Sequence, residues 1–586
     1  MTSAFFHSFS TTGGWHGRFI RPVALRQADR LADVLPIIEW AEQTARQGRW
    51  VALLLSYEAA PAFDPALTTH EPGPFPLAWA ACFDSPDPLP EIPGHAPVQI
   101  GAWQPQIGRD EYESGIRRIK DYIACGDTYQ VNYTFPLRCS FQGDGLSWFF
   151  EKGPAQAASW SAFVDLGRFQ VLSFSPELFF EWRDGRVQCR PMKGTGVRGR
   201  WFADDEARIT ELSNSRKDRA ENLMITDMVR NDLGRIARPG SVKTRSLFEI
   251  ERYPTLFQMT STIEAVPREA LSLAEVFRAL FPGASITGAP KVRTMEIIRE
   301  LEPHPRGLYT GAIGLIQPGG AAVFNMPIRT VVRDRERAEA SLHVGGGVTW
   351  DSTATGEYEE CRLKAVFLSE PSEPFSLLET LRLENGRLYL LERHLERLRQ
   401  SARYFGYPLD EGRVRESLNA LAAEKATETW RTRLWINSAG DVTVEAELLA
   451  PDSTPWAVAL ATEPVNSQDR FLYHKTTRRR VYEQAMAQHP GCRDVVIWNE
   501  RGELTESCLA NLVVVLDGQA CTPPLSCGLL PGVLRAEWLA GGRLTERVLF
   551  KEDLARAQEF YLINSVRGRI HVRLGHGGSS RPALPL

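Results

Sequence analysis

A short proline-rich segment divides this chain of 586 residues into two parts. Residues 368–374 read Leu-Ser-Glu-Pro-Ser-Glu-Pro, which carries no apolar periodicity, and the prolines disfavour continuation of the preceding helix. A single hydrophobic core stops growing near roughly 250–300 residues, so a chain of this length needs at least two cores. We therefore expect a first domain at 1–368, a linker at 369–374 and a second domain at 375–586.

Strand patterns and helix patterns alternate in both parts of the chain. In the first part they are the strands 169–174 and 322–332 and the helices 220–237 and 357–364. In the second part they are a hairpin of 377–383 and 387–390 around Asn385-Gly386, the helix Leu391–Phe405 and the strand Asp494–Trp498. Such interleaving predicts α/β or α+β layers in both domains.

Composition excludes several classes of protein. The net charge is −4, so the chain has no basic footprint for a phosphate backbone and nucleic acid is not an expected partner. The nine cysteines are scattered and form no C-x-x-C pair, which argues against a disulfide framework and a structural zinc site. Neither a signal-peptide pattern nor a run of roughly 18 apolar residues is present. We expect a cytoplasmic protein that acts on small molecules and not at a membrane.

Lysine is scarce in this chain. Only ten of the 68 basic residues are lysines, so arginine is the usual surface cation here. Lysine has an amine that burial can turn into a nucleophile, whereas arginine stays protonated. Three lysines in distinctive sequence contexts are therefore candidates for chemistry: Lys193, Lys291 and Lys475.

Acidic pairs and glycine-rich segments mark the first part. Asp218 and Glu221 lie one helical turn apart, and so do Glu357 and Glu360 on a second helix pattern. Such pairs suit Mg²⁺, which takes a few carboxylates and keeps waters or a ligand oxygen, although each pair alone is more often a solvated acidic face. Glycine-rich loops at 281–291 and 343–347 could expose backbone amides to an anion, and the second could equally be a tight turn.

The order of nine sequence blocks over about 240 residues resembles the chorismate-binding enzyme family. The blocks are YQVNYT (129–134), SPELFF (175–180), PMKGT (191–195), the helix that begins at Asp218, GASITGAPK (283–291), YTGAIG (309–314), IRT (328–330), GGG (345–347) and EYEE (357–360). The family includes anthranilate synthase, isochorismate synthase and aminodeoxychorismate synthase component I. The resemblance implies a layered α/β sandwich that binds chorismate with Mg²⁺.

The same resemblance assigns roles to residues of this chain. Glu221 and Glu360 match metal-ligand positions. The positions that match substrate-binding ones are Tyr309, Arg329, Gly346, Gly347 and Lys364. Arg329 suits this role because its planar guanidinium grips a carboxylate with two hydrogen bonds.

Lys193 indicates which branch of the family the chain resembles. Anthranilate-forming members usually have alanine at this position, so Lys193 points to amination that yields aminodeoxychorismate. In that branch the lysine is thought to attack the chorismate ring and to be displaced by ammonia, which requires a partly neutral amine. Glu177 matches a proposed general acid, and Gln258 stands where anthranilate-forming relatives usually have histidine.

The chain lacks the G-x-C-x-G loop, with its downstream histidine and glutamate, of a class I glutaminase. The resemblance therefore implies that ammonia comes from a separate glutamine amidotransferase subunit or from free ammonium.

The second part combines one lysine with one glutamate. Lys475 and Glu506 suit pyridoxal phosphate chemistry, in which a lysine holds the cofactor and an acid keeps the pyridine nitrogen protonated. An isolated lysine is usually structural or solvated, so the surrounding blocks matter. They are LLETLRLENGRL (377–388), ERHLERL (392–398), HKTT (474–477), LTESCLANL (504–512), TPPLSCGLLPGVLR (522–535) and INSVRG (563–568).

These blocks resemble the class IV pyridoxal-phosphate enzymes, which include branched-chain and D-amino-acid aminotransferases and aminodeoxychorismate lyase. The resemblance makes Lys475 the cofactor lysine and proton shuttle, and Glu506 the partner of the pyridinium. The expected phosphate-binding residues are Arg397, Gly532, Val533 and Ser565. Thr380 matches a position that assists proton transfer in the lyase, and relatives of this class are commonly dimers, so a homodimer through the second domain is an expectation.

The two resemblances together predict synthesis of 4-aminobenzoate for folate. A domain that releases aminodeoxychorismate, followed by one that eliminates pyruvate from it, completes a two-step route, although this rests on the association of the domains. The alternative enzyme is an anthranilate-type synthase fused to an amino-acid transaminase. A further alternative is that one half is catalytically silent and serves as a docking platform for the glutaminase.

Overall fold

The computed structural model describes residues 2–10, 13–88, 97–369, 373–452 and 454–575. It forms two compact units. One comprises Met1–Arg198 and Arg208–Ser372, and the other comprises Gly199–Ala207 and Glu373–Leu586. Residues 370–372 of the expected linker lie outside the described residues. No sequence pattern indicated that 199–207 belongs to the second unit.

The first unit contains twenty strands among the described residues. They are β1 (Ser3–His7), β2 (Gly17–Ile20), β3 (Ala24–Ala28), β4 (Trp50–Leu55), β5 (Ala78–Phe83), β6 (Gln99–Ile100), β7 (Gln104–Pro105), β8 (Gln130–Gln142), β9 (Trp160–Asp165), β10 (Phe169–Ser175), β11 (Leu178–Arg183), β12 (Arg186–Arg190), β13 (Met192–Val197), β14 (Lys243–Arg252), β15 (Leu256–Ala265), β16 (Gly288–Ala289), β17 (Ala312–Ile316), β18 (Ala322–Asn325), β19 (Thr330–Asp334) and β20 (Glu339–Val348).

Eight α-helices accompany these strands in the described part of the chain, and the fourth begins in the segment that belongs to the second unit. They are α1 (Val34–Arg46), α2 (Arg109–Ala124), α3 (Gly145–Gln156), α4 (Phe202–Asn214), α5 (Arg216–Gly234), α6 (Leu273–Leu280), α7 (Lys291–Leu301) and α8 (Ala354–Ala365).

The strands of the first unit form two antiparallel sheets. One has the order β16-β8-β20-β19-β10-β9-β1-β2, and the other has the order β13-β15-β12-β11-β18-β17-β4-β5-β3. Phe6 and Ala162 from the first sheet pack with Trp79 and Leu315 from the second, so an apolar layer lies between the sheets. Successive side chains of a strand face opposite sides, and the outer faces are covered by helices. The predicted layered α/β sandwich is confirmed.

Helices α5 and α8, which carry the acidic pairs, each begin at a hydroxyl cap. The Ser215 side chain accepts a hydrogen bond from the backbone of Asp218, and Thr353 accepts one from Gly356. Such caps satisfy backbone donors that the first helical turn leaves free. The caps fix where each helix starts, and therefore where the first acidic residue of each pair lies.

Two expectations for the first part are wrong in detail. The strand predicted at 322–332 is two strands, β18 and β19, separated by a turn in which Arg329 has a φ of +50°. The expected glycine-rich loop at 343–347 is part of strand β20, where Gly346 and Gly347 pair with Tyr133 and Asn132 of β8. Glycine suits this strand because its neighbours leave no room for a side chain, a tertiary constraint that local sequence does not reveal.

The second unit contains two further sheets within the described residues. Its strands are β21 (Leu377–Glu384), β22 (Arg387–Leu388), β23 (Thr429–Ile436), β24 (Val442–Leu448), β25 (Trp456–Leu460), β26 (Asp494–Trp498), β27 (Leu504–Ser507), β28 (Asn511–Leu516), β29 (Gln519–Thr522), β30 (Thr545–Glu546), β31 (Glu559–Asn564) and β32 (Gly568–Leu574). Its helices are α9 (Leu391–Phe405), α10 (Glu411–Glu424), α11 (Arg480–Ala487), α12 (Val533–Ala540) and α13 (Lys551–Arg556).

The smaller sheet has the order β22-β21-β23-β24, and the larger has the order β27-β26-β25-β32-β31-β28-β29-β30. Leu395 and Leu398 of α9 pack with Leu377 and Leu434 of the smaller sheet. The predicted hairpin is present, and both Asn385 and Gly386 have positive φ, as a tight Asn-Gly turn requires. Among the described residues, no helix is long and apolar enough to cross a membrane.

Candidate active sites

A cavity of about 100 Å³ in the first unit collects most of the residues expected there. The expected residues that line it are Glu177, Lys193, Glu221, Gln258, Tyr309, Arg329, Gly347, Glu360 and Lys364. Gly346 is not among the lining residues, and its neighbour Gly345 is. Lys291 also lies elsewhere, where its Nζ pairs with Asp232 at 3.1 Å. Residues that are far apart in the sequence are therefore brought to one place by β13, β20, α5 and α8.

Lys193 is a buried amine at the centre of this cavity. It lies on β13 with 9% of its surface exposed, and burial lowers the pKa of its amine although the nearby Glu221 carboxylate opposes the shift. A Cβ added at Gly347 would lie 2.3 Å from Lys193 Nζ. The glycine therefore leaves the space that the lysine amine occupies, and the amine is available in its neutral form at lower pH than an exposed lysine.

Besides Glu177, four carboxyl groups line the same cavity: Asp218, Glu221, Glu357 and Glu360. Burial raises the pKa of Glu221, and burial together with the charge of Glu360 raises the pKa of Glu357. Burial also opposes ionisation of Glu360, but the Lys364 ammonium, 2.8 Å away, lowers its pKa below the ordinary value. Repulsion among these acids would fall if a cation bound between them.

The spacing of these carboxylates bears on whether they could hold Mg²⁺. Lys217 Nζ lies 3.9 Å from both Glu221 Oε1 and Glu357 Oε1, so a positive charge already fits between these two acids. Among the described residues, no group of three or more His, Cys, Asp or Glu side chains has metal-binding geometry. Mg²⁺ often takes only one or two protein carboxylates. Glu221 and Glu357 lie close enough to share one positive charge, and Glu360 pairs with Lys364, so the metal-ligand pair Glu221 and Glu360 stays a prediction.

Arg329 offers an unused cationic donor to the cavity. Its guanidinium is buried, which lowers its pKa to about 10, and it lies 5.5 Å from the ring of Tyr253. Within the described part of the chain, its Nη1 atom is buried without a hydrogen-bond partner. A buried donor without a partner is costly unless a ligand satisfies it. Arg329 is thus suited to a carboxylate of a bound ligand.

Tyr309 and His343 form one wall of the cavity. Their rings stack with centroids 5.2 Å apart at an interplanar angle of 16°. Burial raises the pKa of Tyr309 to about 12 and lowers the pKa of His343 to about 3. Both rings therefore stay neutral near pH 7, and the tyrosine can donate a hydrogen bond.

Glu177 is placed to act as a proton donor. It follows β10, and its Oε1 accepts a hydrogen bond of 2.7 Å from the Ser285 hydroxyl. Burial raises the pKa of the Glu177 carboxyl to about 7, so a substantial fraction is protonated at neutral pH. Gln258 donates from Nε2 to the carbonyl oxygen of Gly194 at 3.0 Å, which holds its amide at the edge of the cavity beside Lys193.

Three residues of this site were missed in the sequence. Ser285 holds Glu177, and Gln130 has both amide atoms buried without a described partner, close to the space above Gly347. Arg306 donates to Glu302, to the Asn132 carbonyl oxygen and to the Ile286 carbonyl oxygen, which ties together segments that line the cavity. Ser285 and Gln130 lie inside recognised sequence blocks, which was the available signal.

A second cavity, of about 410 Å³, lies in the second unit and gathers every residue expected there. The expected residues that line it are Thr380, Arg397, Lys475, Glu506, Gly532, Val533 and Ser565.

Lys475 is the reactive amine of this cavity. Burial, with the nearby guanidinium groups of Arg479 and Arg397, lowers the pKa of Lys475 to about 7. Its carbonyl oxygen accepts a hydrogen bond of 2.9 Å from the backbone of Leu378, which fixes the lysine beside strand β21. About half of the amine is therefore neutral near pH 7.

Glu506 is held by three donors. The Tyr482 hydroxyl donates to Oε1 at 2.8 Å, Asn511 Nδ2 donates to Oε2 at 3.1 Å and the Leu530 backbone donates to Oε1 at 3.1 Å. Burial raises the pKa of Glu506 to about 7 despite these donors. A ring nitrogen carrying a positive charge would stabilise the ionised carboxylate.

The other end of the cavity is suited to a phosphate group. Gly532 and Val533 lie at the N-terminus of α12, where free backbone N–H groups favour anions, and Ser565 lines the same cavity. A Cβ added at Gly532 would lie 1.7 Å from Asn511 Oδ1, so only glycine fits there. The residues present thus fit pyridoxal phosphate, which would need an amine such as that of Lys475 for its aldehyde and an acid such as Glu506 for its ring nitrogen.

Arg397 is anchored from behind by a buried carboxylate. Glu379 accepts from Arg397 Nε at 2.9 Å and Nη2 at 2.6 Å, and it contacts His394 Nδ1 at 2.6 Å. Burial opposes ionisation of Glu379, but Arg397 and His394 lower its pKa to about 2. The guanidinium therefore has a fixed direction at the phosphate end of the cavity. No sequence pattern indicated this role for Glu379.

The fold and the two cavities define a two-part α/β enzyme, with a lysine of lowered pKa in each cavity. The chain belongs to the chorismate-binding enzyme family, whose model matches residues 9–370. Residues 376–574 match the model of amino-transferase class IV, so both recognised families are confirmed.

The chain is similar to curated proteins over its first part. Aminodeoxychorismate synthase component 1 of Salmonella typhimurium is 41% identical over 282 residues, which are 48% of this chain and 62% of that protein. Anthranilate synthase component 1 of Aquifex aeolicus is 34% identical over 278 residues, which are 46% of this chain and 56% of that protein. The chain thus spans less than two thirds of the length of these relatives.

A solved structure shows the same fold for the first unit. The structure of anthranilate synthase component I from Streptococcus pneumoniae TIGR4 covers 63% of this chain and 92% of its own, with a TM-score of 0.52 and 21% sequence identity. At this level of identity the likeness concerns the fold and not the reaction.

Proposed function

We propose that the chain makes 4-aminobenzoate in two steps, for folate synthesis. The first unit aminates chorismate to 4-amino-4-deoxychorismate, and the second unit removes pyruvate from that product. The observation that carries the proposal is a buried lysine in each cavity whose pKa is lowered, Lys193 and Lys475, each beside groups suited to its substrate or cofactor.

In the first step, Arg329 and Tyr309 bind the substrate carboxylates. The neutral amine of Lys193 attacks the chorismate ring, and Glu177 donates its proton to the departing ring hydroxyl, which leaves as water. Ammonia then displaces the lysine amine and loses a proton. A Mg²⁺ ion held by Glu221, with Glu357 or Glu360, would neutralise a substrate carboxylate and orient it.

In the second step, the bound pyridoxal phosphate supplies an electron sink for bond cleavage next to the substrate amine. Glu506 would keep a proton on the ring nitrogen of the bound cofactor. Arg397, the amides of Gly532 and Val533, and Ser565 hold the phosphate. Lys475 would hold the cofactor and move a proton at its Nζ, and Thr380, which lines the same cavity, would assist.

The first step needs a source of ammonia. The curated relatives that aminate chorismate are named component 1, which implies a second component. We propose that a separate glutamine amidotransferase supplies ammonia to the first unit, and that free ammonium replaces it in vitro.

A second candidate function comes from the comparisons. One relative of the first part is an anthranilate synthase, and the family model for the second part is that of aminotransferases. An anthranilate-type synthase fused to a transaminase would release 2-aminobenzoate and would convert 2-oxo acids. Lys193 argues against it, because anthranilate-forming members usually carry alanine there.

Two single variants test the assignment of each step. With chorismate and ammonium, Lys475→Ala is expected to stop at aminodeoxychorismate, and Lys193→Ala is expected to lose most amination while still converting added aminodeoxychorismate. Lys243→Ala, on the exposed strand β14, is the matched control. Undiminished 4-aminobenzoate from Lys475→Ala would refute the role of the second unit, and undiminished amination by Lys193→Ala would refute that of the first.

A further inference from the structure

The second cavity contains more positive charge than a cofactor phosphate needs. Five arginines line it: Arg397, Arg431, Arg433, Arg479 and Arg567. Glu506 is its one acidic lining residue among those the structure describes. An excess of buried or half-buried guanidinium groups in a cavity indicates an anionic ligand.

Four of these arginines already have protein partners. Arg397 is held by Glu379, and Arg431 pairs with Glu447 on the neighbouring strand. Arg567 pairs with Asp452 at 2.9 Å, and Arg479 donates to the carbonyl oxygen of Cys508. Arg433 differs from them. Across the described ranges its guanidinium forms neither a hydrogen bond nor an ion pair, although Arg433 lines the cavity.

Strand pairing places Arg433 directly opposite Thr380. It is the direct cross-strand partner of Thr380 on β21, so both side chains share one face of the sheet about 5 Å apart at Cβ. On its other side the cross-strand partner is Glu445, which is exposed. Among the described residues Glu445 makes no ion pair with Arg433, and Glu447, whose pKa Arg433 helps to lower, pairs directly with Arg431 instead. The Arg433 guanidinium can therefore still take a ligand.

Arg433 is separated from Lys475 by one strand. Lys475 is bonded to Leu378 of β21, and Arg433 lies on β23, the next strand of the sheet. Two strand spacings amount to about 10 Å between main chains. Any group that this guanidinium binds would therefore be remote from the carbon bearing the reacting amine. An α-amino acid carries its carboxylate on that carbon, whereas aminodeoxychorismate carries a ring carboxylate on the opposite side of its ring.

We propose that Arg433 binds the ring carboxylate of aminodeoxychorismate in the second active site and thereby selects a cyclic dicarboxylate over an α-amino acid. The inference rests on the proposed function of the second unit. It assigns the specificity of that unit to one residue, whereas Lys475, Glu506 and the phosphate-binding residues serve any substrate of the cofactor.

The test compares Arg433→Gln and Arg433→Lys in the full-length protein loaded with pyridoxal phosphate. Arg387→Gln, an exposed arginine on β22 of the same sheet, is the matched control. Aminodeoxychorismate is supplied directly, and KM and kcat for pyruvate release are measured with the cofactor absorbance and the thermal midpoint. Loss of a charged hydrogen bond to the substrate predicts a rise of KM by about 10- to 100-fold for Arg433→Gln. We expect partial recovery in Arg433→Lys, with cofactor absorbance unchanged.

The outcomes separate this inference from the function on which it rests. An unchanged KM in Arg433→Gln, with the unsubstituted protein active, would overturn the inference and leave the function standing. Loss of cofactor absorbance or of folding in both Arg433 variants would show a structural role and would also overturn it. If the unsubstituted protein holds the cofactor but releases no pyruvate, the proposed function fails, and the inference fails with it.

Discussion

At the residue scale, the proposed chemistry depends on the side-chain amines of Lys193 and Lys475. Burial lowers the pKa of Lys193, and burial with two arginines lowers the pKa of Lys475 to about 7. A neutral amine is the reactive form in both cases. The two sites differ in their surroundings, because carboxylates oppose the shift at Lys193 whereas arginines reinforce it at Lys475.

Cofactor loading should depend on pH through Lys475. Above pH 7 the amine is mostly neutral and below it mostly charged, so the rate of reconstitution of the cofactor-free protein should rise about fivefold from pH 6 to pH 7 and level off above pH 8. The measurement is the growth of cofactor absorbance after addition of pyridoxal phosphate. A rate that keeps rising steeply from pH 8 to pH 10 would show an ordinary lysine pKa and would contradict this account.

Much of the site could be predicted from residue identity, and the reasons for the rest are physical. Scarcity of lysine and the surrounding sequence blocks identified Lys193 and Lys475. The roles of Ser285, Arg306 and Glu379 depend on partners that fold brings close, such as the contact between Ser285 and Glu177 over 108 positions. Local sequence does not reveal such a contact.

At the scale of elements, a buried ion pair joins the walls of the first cavity. Arg306 and Glu302 are fully buried, 2.7 Å apart, and Arg306 also donates to main-chain oxygens of β8 and of the 3-10 turn at Ala284–Ile286. The backbone N–H groups of Arg306 and Gly307 donate in turn to Glu58. These contacts fix the segment that precedes Tyr309.

Removal of this guanidinium should destabilise the first unit. Arg306→Met leaves the buried Glu302 carboxylate without its counter-charge, with only the N–H and hydroxyl of Thr134 as donors, which is expected to cost roughly 3–5 kcal/mol in the free energy of unfolding. Arg30→Met removes an exposed ion pair with Asp33 and is expected to cost less than about 0.5 kcal/mol. Thermal or denaturant unfolding followed by circular dichroism gives both values, and equal effects of the two substitutions would contradict the role given to Arg306.

The contact between β21 and α9 should control cofactor affinity. Glu379→Gln removes the charge that orients Arg397, so the dissociation constant for pyridoxal phosphate should rise by about 10-fold or more. Glu416→Gln, exposed on α10, is the control. Because the pKa of Glu379 is lowered to about 2 from an ordinary 4.5, its contribution is present above pH 4.5 and is lost as the pH falls toward 2. Absorbance titration at pH 7 measures the affinity, and equal values in the two variants would argue against this role.

Prediction of elements failed where tertiary structure overrode local pattern. The apolar run 322–332 reads as one strand, but Arg329 turns the chain so that its guanidinium enters the cavity. The three glycines at 345–347 favour a loop in the sequence, yet they lie in β20. Glycine is needed there because Glu357 and Lys193 occupy the space that side chains at 346 and 347 would take. In contrast, the Asn-Gly hairpin and α9 follow local signals alone, and the structure has them as predicted.

At the scale of the whole molecule, each unit contains its own complete cavity. Every lining residue of the first cavity lies between Asn132 and Lys364, and every lining residue of the second lies between Leu378 and Arg567. A mixture of Lys193→Ala and Lys475→Ala chains should therefore form 4-aminobenzoate from chorismate and ammonium, although each variant alone forms little. The rate should rise with the concentration of the Lys475→Ala chain. Failure of the mixture, with both variants folded, would contradict the independence of the two sites.

The identity of the aromatic product tests the central claim most directly. The purified chain is incubated with chorismate, ammonium, Mg²⁺ and pyridoxal phosphate, and the product is identified by mass and fluorescence against both aminobenzoate isomers. This account predicts 4-aminobenzoate with one pyruvate for each aromatic product. Formation of 2-aminobenzoate instead would contradict it.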